Sequence, residues 1–408
     1  MTSDPSLGIR GVRLLNGERT DLLIRDGVWA KVGPGAAATA DRQLPLEGTL
    51  LILPLVDSHF HLDSVYALEQ TGENRSGTLW EGIRLWREYK FKASVEEISE
   101  RAGRYLERAI RQGIRAIRSH VDISVPGLAG VHALLELKER FRDRIDIQLV
   151  AFPQDGYLRC EGNRARMSEA LDLGVEVVGG IPHYEETTAS GTASIRELME
   201  IASERNLGVD FHCDETDDPE SRHVETVARE TIRLGMQGRV TVSHVTSLHS
   251  VDNAWFDRLL PLMREAELQV IANPLINVVL QGRGDTYPKR RGLTRVKEFF
   301  EGGLTVAFGH DCVRDPWYPL GDGDMLDVAR MGLHLAQLTG SAEMPLVLEA
   351  VTTHPARIMN LQGTELAEGQ PAHGLFLKAE SLTDLLSGWV ERLCLLREGR
   401  VLFGPDAP

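Results

Sequence analysis

The chain has 408 residues, with 45 basic and 60 acidic side chains, a formal net charge of −15, and 42% hydrophobic and 26% charged residues. That apolar content sustains a large core and excludes a disordered chain, and the length fits one barrel-sized domain or two domains. The acidic balance and the 6% aromatic content exclude a broad nucleic-acid surface, which needs a basic stripe and stacking platforms.

The opening segment MTSDPSLGIRGVRLL has no basic stretch followed by an apolar one. The apolar run Leu50 to Val56 is far shorter than the roughly 20 residues of a membrane span. Cys160, Cys213, Cys312 and Cys394 form no C-x-x-C pair, which points to a reducing compartment. The expectation is a cytoplasmic chain without a membrane partner. Asn16-Gly17 and Asp26-Gly27 predict hairpins, and Val28, Ala30 and Val32 alternate as one face of a strand.

Eight apolar segments follow, at 50–61, 114–121, 145–154, 175–184, 208–215, 240–245, 268–274 and 304–311. Each precedes a stretch able to form a helix. Ser94 with Glu97 predicts a capped helix carrying Ile98, Tyr105, Ala109 and Ile110 on its buried face and stopping at Gly113; Ser194 with Glu197 repeats the pattern. Near-continuous apolar strands alternating with helices predict a parallel sheet covered on both faces. Eight of them predict an α/β fold of the (β/α)8 TIM barrel type, whose chemistry sits at the C-terminal strand ends. A doubly wound sheet is the competing architecture, weakened by the lack of G-x-G-x-x-G after an early strand. GLFLKAE at 374–380 and RLCLLREGRVLFG at 392–404 return to short strands with Gly399 in a turn, so both termini are β-rich.

The predicted strand ends carry His59 and His61, His120, Gln154, His183, His212 with Glu215, His244, and His310-Asp311-Cys312. A chain with 13 histidines shows about 0.4 H-x-H pairs by chance, so the pair gains its weight from position. Residues i and i+2 of a strand share a face, so both imidazoles aim into one barrel mouth. His212 and Asp311 complete a three-His, one-Asp set that suits Zn²⁺ or Fe²⁺. Hydrogen-bonded core histidines would account for any one of these residues, but not for the convergence of the set. His120 reads as structural. His223-Val224-Glu225 lacks an accompanying P-C-x-x-C and reads as a helix-face pair; Lys289-Arg290-Arg291 reads as a solvated loop, and Cys213 as pointing away from the mouth.

The stretches VDSHFHLDS, SGTLWEGI, RSHVDIS, IDIQLVAFPQDG, VVGGIPHYE, DFHCDETDDPESR, SHVTSLHS, ANPLINVVLQGRGDTYPKRRGLTRVKE and FGHDCVRDPWYPLG resemble the amidohydrolase superfamily, and within it the bacterial cytosine deaminases. They run collinearly from about residue 55 to 320. The resemblance implies a small β-sandwich domain from residues 1–52 and 362–408 around a barrel spanning 53–361. It implies one divalent metal ion, Fe²⁺ or Zn²⁺, on His59, His61, His212 and Asp311. The absence of Lys between Val175 and Glu186 supports one metal rather than two. It further implies that Glu215 shuttles protons, that Gln154 clamps the pyrimidine edge, that His244 lies beside the attacking oxygen, and that Trp317 packs by the ring. Leu79 and His183 complete the expected substrate contacts. The partners implied are a free pyrimidine base and water, with a homo-oligomeric assembly.

The chemistry required is addition of water at C4 and loss of ammonia. A bound cation can lower the pKa of water to about 7. Asp311 is then placed to take a proton, His244 to stabilise the developing charge, and Glu215 to protonate N3 and the leaving amine. Cytosine deaminases carry two consecutive aspartates where this chain has Asp311-Cys312. The cysteine removes a charge and opens room at C5, where a buried methyl-sized group contributes about 1 kcal/mol. The expectation is a deaminase that takes 5-methylcytosine to thymine as well as or better than cytosine to uracil. A plain cytosine deaminase acting also on isoguanine, another cyclic-amide amidohydrolase, and a non-catalytic binding barrel share parts of the pattern.

Overall fold

The computed structural model describes residues 5–405 and residue 407; residues 1–4, 406 and 408, assigned above to the small domain, lie outside the described residues. The eight expected barrel strands are β1 (Leu55–Phe60), β2 (Ile114–Asp122), β3 (Asp146–Phe152), β4 (Val177–Gly180), β5 (Gly208–Cys213), β6 (Val240–His244), β7 (Gln269–Ala272) and β8 (Thr305–Phe308). Each pairs in parallel with its sequence neighbour. The ring closes between β1 and the end of β8 through a parallel bridge of Phe60 with Asp311. There the His61 N–H donates to the Asp311 carbonyl at 3.1 Å, and the Asp311 N–H to the His59 carbonyl at 2.8 Å. The strands are almost wholly buried because helices cover the outer face, which is why they read as unbroken apolar runs.

Helix α1 (Leu79–Lys90) starts at Thr78, whose hydroxyl accepts the Glu81 N–H. Helix α2 (Val95–Arg111) starts at Ser94 as expected, and Ile98, Tyr105, Ala109 and Ile110 face inward. The second capping expectation is corrected. The helix there spans Thr188–Glu204 and is capped by Thr187 with Ser190, leaving Ser194 inside it with its hydroxyl on the Gly191 carbonyl. Glu197 instead turns outward to Tyr157 and Arg164.

The segment 50–61 divides into two strands. Leu50–Ile52 pairs antiparallel with Gly374–Leu377, and the barrel begins only at Leu55, after Pro54. Proline has no N–H for a ladder, so the chain changes sheets there. The small domain is one mixed eight-stranded sheet whose strands come from both ends of the chain. It encloses its own core, including Ile9, Leu22, Trp29, Phe376 and Leu396. The Asp26-Gly27 hairpin abuts the turn at Glu398. Gly27 has φ +77°, and a Cβ there would lie 3.1 Å from the Glu398 carbonyl oxygen. Among the described residues no helix is long and apolar enough to cross a membrane.

One buried ion cluster fastens α1 to the barrel top. Lys90 is only 3% exposed and bonds Asp122 at 2.7 Å and Asp155 at 2.8 Å. Burial alone would lower its pKa, yet the two carboxylates hold it above the ordinary lysine value. Trp86 Nε1 also donates to Asp122 at 3.0 Å. Asp122 ends β2 and Asp155 follows Gln154, so the cluster sets the height of α1 over the strand ends. Lys90→Met should cost about 3–5 kcal/mol in urea unfolding, because it strands two buried carboxylates; a loss below about 1 kcal/mol would show that the cluster is relaxed by water.

Candidate active site

His59, His61, His212, His244, Glu215 and Asp311 are all buried at the C-terminal strand ends. His59 is held from behind. Its Nδ1 lies 2.9 Å from Ser243 Oγ, which donates at 2.7 Å to Asp210 Oδ1; Asp210 Oδ2 in turn accepts from Arg118 at 3.0 Å. Because the serine hydroxyl is spent on Asp210, it accepts from Nδ1–H of His59, and Nε2 is left bare. That Nε2 is buried and has no hydrogen-bond partner among the described residues. It faces Asp311 Oδ1 at 3.4 Å. His61 Nε2 stands 3.4 Å from the same oxygen and 3.1 Å from His212 Nε2.

Burial pushes the His61 pKa down to about 3 and that of His212 well below the usual value, so both rings are neutral. Burial would raise the Asp311 carboxyl, but His59 and its neighbouring imidazoles hold it below the ordinary carboxylate range. Bare imidazole nitrogens and one carboxylate around a common point form a donor set that fits Zn²⁺ or Fe²⁺. Two overlapping groups have cation-binding reach: His59, His212, His244 and Asp311, and His59, His61 and His120. Of the four expected ligands, His59, His212 and Asp311 share one group, with His244 as its fourth member, while His61 falls in the other. His120, read from sequence as structural, joins them: its ring centroid is 4.2 Å from that of His59, and its Nε2 is 3.6 Å from Asp210 Oδ1.

Above this cluster lies a narrow pocket lined by His61, Leu79, Gln154, Ile181, His212, Glu215, His244, Ile276, Leu280, Asp311, Cys312 and Trp317. Leu79, Gln154, Glu215, Cys312 and Trp317, which the sequence singles out, line this one cavity together. Ile181, Ile276 and Leu280 were missed, because an apolar residue that lines a pocket reads like one that fills a core. His183 is a correction. It sits in the turn Pro182–Tyr184, within electrostatic reach of Asp214 and His223, and does not line the pocket. The turn carries Ile181 to the cavity and the imidazole away from it.

Each pocket wall has its own chemistry. Burial, then the charge of Asp311, pushes the Glu215 pKa well above the ordinary value, which favours its protonated form. Its Oε1 is 3.3 Å from His244 Nδ1. The thiol of Cys312 lies 3.6 Å from Asp311 Oδ1. Burial, then the charges of Asp311 and Asp315, push its pKa well up, so it stays a neutral thiol and not a nucleophile. Cys312 packs with Ile83, Trp86, Ile276, Leu280 and Trp317. The Trp317 ring lies 6.4 Å from the His61 ring at an interplanar angle of 28°. Asp315 fixes that tryptophan by accepting the N–H groups of Trp317 and Tyr318 at 2.9 and 3.0 Å. Gly82 of α1 permits the close packing, since a Cβ there would fall 2.3 Å from Trp317 Cδ1.

The remaining motifs are structural. Asp214 accepts His223 Nδ1 at 2.9 Å and the Val224 N–H at 2.8 Å, anchoring the helix His223–Leu234. Arg290 pairs with Asp285, and Arg291 donates to the Leu335 carbonyl. Cys213 lies in the barrel core. Asp214, His244 and Asp311 have φ of +50°, +69° and +71°. Left-handed backbone at three strand ends is a local cost of the kind found at functional sites.

A parallel eight-stranded barrel with imidazoles and a carboxylate converging at its C-terminal mouth defines a barrel hydrolase. The chain belongs to the amidohydrolase family, whose model matches residues 45–380, and is a hydrolase acting on C–N bonds. It is similar to the 5-methylcytosine deaminase of Klebsiella pneumoniae, solved with 5-fluorocytosine, at 38% identity and a TM-score of 0.94, covering 98% of each chain. It is 26% identical to N-isopropylammelide isopropyl amidohydrolase of Pseudomonas sp. (strain ADP), over 91% of this chain and 90% of that one. It is 27% identical to pterin deaminase of Rhizobium rhizogenes, over 94% and 88% respectively.

The orientation of His59 by Ser243 is testable without turnover. Ser243→Ala should weaken zinc binding about 10- to 100-fold in a chelator competition, the usual effect of losing a hydrogen bond behind a ligand; unchanged affinity would mean that His59 is held by packing alone.

Proposed function

We propose that this chain is a metal-dependent hydrolytic deaminase of free aminopyrimidine bases, taking 5-methylcytosine to thymine as well as or better than cytosine to uracil, with release of ammonia. The observation that carries the reading is the buried thiol of Cys312 in the wall of a pocket that also holds Gln154 and Glu215. The similarity to the Klebsiella pneumoniae 5-methylcytosine deaminase supports it. The division into a small domain of residues 1–52 and 362–408 and a catalytic barrel of 53–361, and a homo-oligomeric, cytoplasmic enzyme, belong to the same proposal.

His59, His61, His212 and Asp311 would hold one Fe²⁺ or Zn²⁺, which when bound supplies Lewis acidity that makes water a usable nucleophile at neutral pH. The chain's own groups do the rest. Gln154 offers one donor and one acceptor to the O2 and N1–H edge of the base. Trp317, Leu79 and the neighbouring isoleucines pack against the ring. Glu215 delivers its proton to N3, so that C4 becomes electron-poor as the water oxygen adds. Asp311, ionised, receives the proton that this water gives up. His244 holds the attacking oxygen by a hydrogen bond. Glu215, now ionised, takes the remaining proton of the C4 hydroxyl and passes it to the 4-amino group, which leaves as ammonia while C4 keeps the oxygen as a carbonyl; the proton held by Asp311 then returns to Glu215. Cys312 faces the C5 edge and presents sulfur to a methyl group.

Ammonia release should be measured across cytosine, 5-methylcytosine, isoguanine, pterin and N-isopropylammelide with defined metal. We expect kcat/KM for 5-methylcytosine to equal or exceed that for cytosine, and Cys312→Asp to reverse the order. A cytosine preference of about tenfold or more, unchanged in that variant, would remove the role of Cys312. Glu215→Gln should keep its metal and lose about 10²- to 10⁴-fold in kcat, the range for a positioned acid; near-normal turnover would misassign the proton route.

A further inference from the structure

Four polar side chains surround the buried imidazole of His244, and their hydrogen-bonding roles are not interchangeable. Asn277 lies in the helix α3 (Pro274–Leu280), which follows β7. Its Oδ1 accepts the backbone N–H of Asn273 at 3.1 Å. A backbone N–H cannot reverse its role, so the orientation of the Asn277 amide is fixed. Nδ2 is the atom left facing His244, 3.0 Å from Nδ1. An amide nitrogen only donates, so Nδ1 accepts, and a neutral ring must carry its proton on Nε2. Turning the amide over would set its Nδ2 against the Asn273 N–H, donor against donor. Asn273 Nδ2 lies 3.3 Å from each ring nitrogen and does not choose between them. Glu215 Oε1, 3.3 Å from Nδ1, meets a bare acceptor when it carries its proton. On the other side of the ring, Nε2 looks towards Asp311 Oδ2 at 3.8 Å.

We infer that Asn277 is a positioning residue that fixes His244 as the Nε2–H tautomer, so that this imidazole presents a donor and not a lone pair to the reacting centre. One consequence stands on geometry alone. His244 has the reach of a cation ligand, but with Nδ1 occupied by Asn277 and Nε2 protonated it has no lone pair to give, which leaves His61 in the ligand set. The second consequence rests on the proposed deamination: His244 donates to the attacking oxygen and does not act as its base. Asn277 lies in the helix after β7, far along the chain from the H-x-H motif at the end of β1, and acts on the proposed reaction only through His244.

Long-range ¹H–¹⁵N spectra of the zinc-loaded enzyme carrying ¹⁵N-histidine distinguish a protonated ring nitrogen from a bare one, with His244 assigned by its loss in His244→Gln. The expected wild-type pattern is bare Nδ1 and protonated Nε2. Asn277→Asp keeps the shape and the acceptor for Asn273 but places an oxygen against Nδ1, so the proton should move to Nδ1. In that variant kcat should fall about 100-fold with KM within about threefold, as for an interaction made only in the transition state. Asn277→Ala removes the donor without imposing an acceptor; the two tautomers should mix and kcat fall about tenfold. A wild-type His244 protonated on Nδ1, or an Asn277→Asp spectrum identical to wild type, overturns the assignment. Were the spectra as expected while none of the tested bases released ammonia, the assignment would stand and the proposed substrate class would fall.

Discussion

The closure of the barrel and the placing of its polar centre are the same event. The hydrogen bonds that join β1 to the end of β8 run through the main chains of His59, His61 and Asp311. Their side chains therefore cannot be arranged independently of the fold. Asp311 takes a left-handed conformation to do this, with φ +71°. That cost is borne by one residue, whereas closure lets eight strands bury both faces. Loosening the seam between β1 and β8 would separate the ligand set before it exposed much core.

The second organising constraint is electrostatic. A barrel mouth with several buried carboxyl groups is stable only when each has an answer. Asp210 has Arg118 and, through Ser243, His59. Asp122 and Asp155 share Lys90. Asp57, raised by burial to about 7, receives the His310 N–H at 3.0 Å. Asp311 has imidazoles beside it but no arginine or lysine partner among the described residues, and the Nε2 of His59 that faces it has no hydrogen-bond partner there. A bound cation would complete that local balance, so its binding energy is also folding energy of the strand-end cluster.

What the sequence makes legible follows from period and position. Continuous apolar runs mark strands buried on both faces, and all eight are found. His59 and His61 stand out because spacing by two is meaningful on a strand. Gln154, Glu215 and Cys312 stand out as polar or reactive residues at the ends of such runs. The failures have equally local causes. Ser194 and Glu197 have capping spacing, but the better cap formed by Thr187 and Ser190 lies upstream and wins. Leu50 to Phe60 reads as one strand until Pro54 divides it between two sheets. His183 ends a run, yet a turn at Pro182 rotates it out of the cavity. Ser243 and Asn277 are invisible as one-dimensional signals because each acts by orienting a histidine distant in sequence.

The discrimination we assign to Cys312 has a definite physical limit. An apolar wall recognises one extra methyl group with only about 1–3 kcal/mol, so a thiol cannot by itself reject cytosine strongly. A carboxylate at position 312 would act differently. It would stand beside Asp311 and Asp315 in a buried site, and a methyl group pressed against it would strip its remaining solvation. Replacing it by a neutral thiol removes that penalty for the methylated base while leaving Gln154 and Glu215 to hold the ring as before. On this argument the change from carboxylate to thiol widens the set of accepted bases chiefly by deleting a repulsion. Selectivity towards the methylated base then depends on how tightly Trp317 and Leu280 close against Cys312, that is, on packing that Gly82 makes possible by letting α1 approach the indole.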